Sequence, residues 1–150
     1  MKSRIAVALL AIVLSGDPLA ASQEIDDPVK QGYEAFFQGD YKNALMSWKS
    51  AAVLGDGHAQ YNLGLMHRNG DGVLQDYAEA IKWYRLAAKQ GDARAQNGLG
   101  LMYAMGQGVP QDYAEAYAWF NVAAAQGYAD AKSNRDIVSK ELTLKTLSKA

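Results

Sequence analysis

The sequence predicts an all-α fold built from two-helix repeats, and three observations support this. First, residues 55–90 and 91–126 align without gaps, and about 21 of the 36 paired residues are identical. Second, apolar residues within each unit recur at the three- and four-residue intervals of a helix. Third, glycines at matching positions divide each unit into two segments of helical length.

The first helix of a unit is predicted from the stripe formed by Ala59, Leu63 and Met66, which are spaced i, i+4 and i+7. Gly64, and Gly100 in the next unit, interrupt this segment although glycine lowers helix propensity. We expect these glycines to be needed because the second helix, with its alanine columns, approaches the first closely.

The second helix begins at Asp76, which has Glu79 three residues later. This spacing is typical of a capping box, in which each side chain accepts from an otherwise unpaired backbone N–H. Gly91 follows the helix, as expected of a glycine in a left-handed cap, and Gly55 and Gly127 hold the same place in the other units. Gly70 and Gly72 supply backbone freedom between the helices, and Val73 is expected to pack the loop onto the core.

The amino-terminal stretch differs from the repeats and is expected to direct export. Lys2 and Arg4 precede an apolar run from Ile5 to Leu14, and small residues follow in "DPLAAS". This order is typical of a secretory signal peptide, and the apolar run is too short to span a bilayer. We therefore expect a periplasmic or secreted protein without stable membrane insertion after cleavage. The predicted segments are a signal peptide at 1–22 and one repeat domain at 23–150, with a short unit at 27–54, full units at 55–90 and 91–126, and C-terminal capping helices at 127–150.

Composition excludes several classes of partner and chemistry. The formal net charge is −1, and it becomes about −2 without residues 1–22, so no basic face for nucleic acid is expected. The chain has no cysteine, and thus no disulfide framework. Its two histidines, His58 and His67, lie nine residues apart on different edges of one predicted helix, which is poor geometry for a metal site. We expect no catalytic residue, no cofactor and no metal.

Two copies of one motif resemble a known repeat family. They read "AQYNLGLMHRNGDGVLQDYAEAIKWYRLAAKQG" and "AQNGLGLMYAMGQGVPQDYAEAYAWFNVAAAQG". Both resemble the Sel-one-like repeat (SLR) family, relatives of tetratricopeptide repeats. His67 stands where the family usually has Tyr, and the first unit lacks the G-x-G-V loop. The resemblance implies a right-handed α-solenoid of helix-turn-helix repeats. It also implies a concave face lined by the first helices and a role in protein–protein interaction, often in the bacterial envelope.

The concave-face positions implied by the resemblance vary between units while the scaffold columns stay fixed. Tyr61, Arg68 and Arg94 are the strongest candidates for partner binding, because Tyr and Arg combine a large contact area with a polar tip. The alternative is that these are ordinary solvated or packing positions. Trp48, Trp83 and Trp119 are expected to pack in the core or between repeats. The further concave-face candidates are His58, Asn69, Asn97 and Met105, with Leu65, Leu101 and Ala104 beside them and Tyr33, Phe36 and Phe37 in the first unit.

The sequence therefore predicts a non-enzymatic adapter that binds another envelope protein or peptide. Two alternatives remain open. One is a self-assembling structural protein, in which the units of different copies stack end to end. The other is an envelope enzyme that acts on cell-wall material through Asp71, Asp76 and Glu79.

Overall fold

The computed structural model describes residues 27–148, so the predicted signal peptide at residues 1–22 lies outside the described residues. Residues 27–148 form seven α-helices and no β-strand, which confirms the all-α prediction. The helices are α1 (Pro28–Phe37), α2 (Tyr41–Val53), α3 (Gly57–Asn69), α4 (Tyr77–Lys89), α5 (Ala93–Met105), α6 (Tyr113–Ala125) and α7 (Ala129–Leu147).

The helices stack as a solenoid. Each helix packs against its neighbours in sequence, and α5 also contacts α3 and α7 across repeats. The even-numbered helices of residues 27–148 make no comparable contacts among themselves. The odd-numbered helices therefore line the side of the stack on which alternate helices approach each other. We call this side the inner face.

An aspartate caps the amino end of each helix from α1 to α6, but the predicted capping box at α4 is only half formed. The Asp76 carboxylate accepts from the Glu79 backbone N–H at 2.9 Å, as expected. The prediction of a reciprocal bond to the Glu79 side chain is wrong. The Asp76 N–H donates instead to the His67 carbonyl at 2.8 Å, and the Glu79 carboxylate pairs with Lys82 at 2.8 Å. The loop folds back onto α3 and so takes up the donor that a capping box would use.

An aromatic ring from the second helix of each unit packs directly on a glycine of the first. A Cβ atom added to Gly64 would lie only 2.5 Å from the ring of Tyr84. This explains why the helix keeps its glycine despite the cost in propensity. The close approach is confirmed, but the neighbour is an aromatic ring and not an alanine column. The equivalent pairs are Gly32 with Trp48 and Gly100 with Phe120.

The loop between the two helices of a unit joins that unit to the preceding one. Gly72 (φ 69°) packs against Tyr41 at the start of α2, and Gly108 (φ 72°) packs against Tyr77 at the start of α4. Val73 lies against the core cluster of α2 and α3, as predicted. The tryptophan prediction is also confirmed, because Trp48 is buried while Trp83 and Trp119 pack against the cluster of the preceding unit.

The C-terminal segment forms one helix, α7, where the sequence predicts capping helices. Ala131 and Val138 pack α7 onto Phe120 of α6. Asp136 occupies the position that is glycine in the internal units, and it pairs with Arg135 at 3.1 Å. The ring-on-glycine packing that joins the internal helices therefore has no equivalent at α7. None of the helices in residues 27–148 is both long enough and apolar enough to cross a bilayer.

Candidate functional site

Arg94, in the first turn of α5, is the centre of a polar cluster on the inner face. Its Nε donates to Asp92 Oδ1 at 3.2 Å, and its Nη2 donates to Asp92 Oδ2 at 2.6 Å. Nη2 also lies 2.7 Å from Nδ1 of His58, on α3. The guanidinium carbon lies 4.4 Å from the centroid of the Tyr61 ring, also on α3. Arg94 therefore links two repeats across the inner face.

The surroundings favour the charged forms of both members of the Asp92–Arg94 pair. Burial raises the pKa of Asp92, but hydrogen bonds from Arg94 and from the Ala95 backbone outweigh it, so this pKa lies below its ordinary value. The bond to Asp92 raises the pKa of Arg94 further, and the Tyr33 hydroxyl on α1 acts in the same direction. The Arg94 side chain is 32% exposed and that of Asp92 is 10% exposed, so the pair is largely desolvated.

Tyr61 packs against a buried core residue, Tyr84. Its ring stacks on that of Tyr84, with centroids 5.8 Å apart and an interplanar angle of 29°. Tyr84 is buried against Gly64, and burial raises the pKa of Tyr84 to about 12. Burial also raises the pKa of Tyr61. Both phenols are therefore neutral at physiological pH, and Tyr61 is held between a buried ring and a guanidinium.

Arg68, in the last turn of α3, reaches the same cluster from the other end of the helix. It is half-buried, and its positive charge beside the Tyr84 hydroxyl lowers the Tyr84 pKa against the larger effect of burial. The charges of Arg94 and Arg68 both lower the Tyr61 pKa against burial. Two cations thus flank one tyrosine on the inner face.

The structure brings four predicted residues together and separates the other three. His58, Tyr61, Arg68 and Arg94 form the cluster described above. Asn97 is only 8% exposed and accepts from the Asn134 side chain at 3.0 Å, so it belongs to the packing of α5 on α7. Asn69 and Met105 are both exposed at the carboxyl ends of their helices. The Asn69 side chain donates to Asp71 at 3.1 Å.

Sequence reasoning missed three contributors to this cluster. Asp92 had a weak signal, because it lies two residues before Arg94 and caps α5 in the structure. Tyr84 is not distinguished by the sequence pattern, yet its ring stacks on Tyr61 and its hydroxyl lies beside Arg68. Tyr128 lies close enough to raise the Tyr61 pKa, and the spacing of the repeats gave no sign of this.

The acids of the enzyme alternative have structural partners. Asp76 caps α4, Glu79 pairs with Lys82, and Asp71 accepts from Asn69. No group of three histidine, aspartate or glutamate side chains within residues 27–148 is arranged to hold a metal. His58 contacts Arg94, while the Nδ1 atom of His67 is buried and has no hydrogen-bond partner in the described part of the chain.

Comparison with known proteins identifies the repeats. The Sel1 repeat model matches residues 57–92 and 93–128, two residues later than the unit boundaries predicted from the sequence. A Sel1 repeat protein from Oxalobacter formigenes has 36% identity and a TM-score of 0.64. The match covers 66% of this chain and 79% of that protein. This chain belongs to the Sel1 repeat family.

A second Sel1-type structure matches over a longer stretch. It is c5321, a protective antigen present in uropathogenic Escherichia coli strains that displays an SLR fold. The identity is 37%, the TM-score is 0.75, and the match covers 86% of this chain. The chain spans only 29% of the c5321 structure. No curated protein matches this Sel1 repeat chain significantly. Sel1 repeat proteins generally mediate protein–protein interaction and are typically non-catalytic scaffolds.

Proposed function

We propose that this Sel1 repeat protein is a non-enzymatic interaction module of the bacterial cell envelope, which binds a partner protein or peptide on its inner face. The observation that carries the proposal is the ordered cluster of Tyr61, Arg94 and His58, which spans two repeats. Tyrosine and arginine are the residues most often found at the energetic centres of protein interfaces. Here they lie on the inner face, between α3 and α5.

The order of these side chains before binding supports the proposal. Arg94 is held by two bonds to Asp92, and Tyr61 is held by the buried ring of Tyr84. A partner would not need to immobilise either side chain. Each flexible side chain that is already ordered removes about 0.5–1.5 kcal/mol from the cost of association.

The proposed location follows from the amino-terminal sequence. Residues 1–22 have the charged, apolar and small-residue regions of a signal peptide. We therefore place the repeat domain in the periplasm or outside the cell, where its partner would be another exported protein. Fractionation of cells that produce the full chain would test this, and a full-length protein retained in the cytosol would contradict it.

Photo-crosslinking in cells is the direct test of the binding face. A photoreactive amino acid at Asn69 lies at the exposed end of α3 without disturbing the stack of Tyr61. A matched probe at Lys82 reports on the exposed side of α4. We expect one dominant protein adduct at Asn69 that is absent at Lys82. Equal adducts at both positions, or none at Asn69, would contradict binding on the inner face.

End-to-end self-assembly is the second candidate, and the charged surface of α1 disfavours it. When Gly32 is aligned with Gly64, Lys30 and Glu34 occupy positions that are buried in the internal unit. In α1 they form an exposed pair, 4.0 Å apart. Stacking another unit there would bury both charges, which is costly. Sedimentation of residues 23–150 is expected to show a monomer, and concentration-dependent oligomers would favour assembly instead.

A further inference from the structure

Arg68 is a half-buried cation without a carboxylate partner among residues 27–148. The other two partly buried arginines of this region are paired, Arg94 with Asp92 and Arg135 with Asp136. Arg85 also lacks a carboxylate, but it is exposed to solvent. A partly desolvated charge is stabilised by a counter-charge, so the position of Arg68 favours an anion from outside the described chain.

Arg68 lies beside a buried, neutral tyrosine, Tyr84. The Tyr84 side chain is buried, and its pKa of about 12 keeps the phenol neutral. The phenol beside Arg68 therefore does not neutralise the guanidinium. A guanidinium has five N–H donors in a planar fork, and one phenol oxygen leaves most of them available. The remaining donors suit a carboxylate, which accepts from two of them at once.

The net charge around Tyr61 is positive, as expected for a site that binds an anion. Among residues 27–148, the charged side chains that most affect the Tyr61 pKa are Arg94, Asp92 and Arg68, and Asp92 is already paired with Arg94. The centre of the inner face is therefore positive, although the whole chain has a net charge of −1. The equivalent position in the next repeat is Ala104, which is uncharged. The unpaired positive charge is therefore limited to Arg68.

We propose that Arg68 binds the side-chain carboxylate of an aspartate or glutamate in a partner segment that lies against Tyr61. This rests on the proposed function and adds the chemistry of one recognition point. The neighbouring inner-face positions, Leu65 and Leu101, are half-buried and apolar. They suit an apolar residue of the same segment. The predicted ligand is thus a peptide with one required acid and no high overall charge.

Selection from a random peptide library displayed on phage tests the proposal. The peptides are joined to the coat protein through their carboxyl ends, so that only side-chain carboxylates are available. Residues 23–150 serve as bait in four forms, namely wild type, Arg68→Glu, Arg68→Lys and Lys42→Glu. The last is a control that makes the same charge change on the exposed side of α2. Circular dichroism and melting verify that all four are folded.

We expect wild type, Arg68→Lys and Lys42→Glu to enrich peptides with one Asp or Glu at a fixed place. Arg68→Glu is expected to lose this preference and to bind the selected peptides at least about tenfold more weakly. An unchanged acid preference in Arg68→Glu, selected peptides without an acid, or no enrichment by wild type would each overturn the proposal. Acid-free peptides that lose binding in Tyr61→Ala would still support the inner face as the binding site. A failure at Arg68 is thereby distinguished from a failure of the proposed function.

Discussion

The guanidinium of Arg94 lies 4.4 Å from the centroid of the Tyr61 ring, and the two residues come from different repeats. This contact joins a cation from α5 to an aromatic ring from α3 on the inner face. Neither residue belongs to the columns that repeat between units. The contact is therefore specific to this pair of repeats and gives the inner face a defined chemical character.

Removing Arg94 is expected to destabilise the fold. Arg94→Ala leaves the Asp92 carboxylate, only 10% exposed, without its cation. We expect the free energy of unfolding to fall by about 1–3 kcal/mol, as measured by urea denaturation. Arg85→Ala removes an exposed arginine from α4 as a control, and its effect is expected to stay within about 0.5 kcal/mol. Equal losses of unfolding free energy in the two variants would show that the Asp92–Arg94 pair does not stabilise the fold.

Acid is expected to weaken the contribution of Asp92. Its pKa in the folded state lies below the ordinary value of 3.8, so the unfolded state binds the proton more readily. The stabilisation is therefore complete above the unfolded pKa and is lost as pH falls through the folded one. We expect the difference in unfolding free energy between wild type and Asp92→Asn to be constant above about pH 5 and to shrink below about pH 4.

The source of this pH dependence is tested in the Arg94→Ala background. Without the guanidinium, the hydrogen bond that lowers the Asp92 pKa most strongly is absent. The effect of Asp92→Asn on the unfolding free energy is then expected to depend less on pH, again by urea denaturation. An undiminished pH dependence would assign the effect to the helix-capping bonds from backbone N–H groups.

Glycine at position 64 is expected to be required, whereas glycine at position 57 in the same helix is not. A Cβ at Gly64 would lie 2.5 Å from the Tyr84 ring, while a Cβ at Gly57 meets nothing closer than 3.7 Å. Gly64→Ala is expected to lower the unfolding free energy by about 1–3 kcal/mol through overpacking. Gly57→Ala is expected to be neutral or stabilising by up to about 1 kcal/mol. Thermal melts of both variants decide this, and similar stabilities would contradict the ring-on-glycine packing.

The tautomer of His58 follows from its partner. Arginine has only donors, so the His58 Nδ1 atom, 2.7 Å from Arg94 Nη2, must accept and the neutral ring must carry its proton on Nε2. Two-bond nitrogen–proton NMR correlations at neutral pH are expected to show this tautomer. In Arg94→Ala the preference is expected to weaken. A proton on Nδ1 in the wild type would mean that this contact does not form in solution.

The sequence by itself determined the repeat architecture. A shift of 36 residues aligns the glycines, aspartates and alanines of two units, and each of these has a local cause. Aspartate caps a helix, glycine turns the chain after it, and apolar spacing sets the buried stripe. These causes act within a few residues, so they are visible in the chain before it folds.

Only the tertiary structure decided which inner-face residues act together. Tyr61 and Asn97 occupy equivalent positions in two repeats, yet Tyr61 packs under Arg94 while Asn97 is buried against Asn134. The tertiary structure also decided that the Asp76 N–H bonds to His67 and not to Glu79. Such outcomes depend on how closely successive helices approach and on how far long side chains reach across repeats. The spacing of residues along the chain does not reveal those distances.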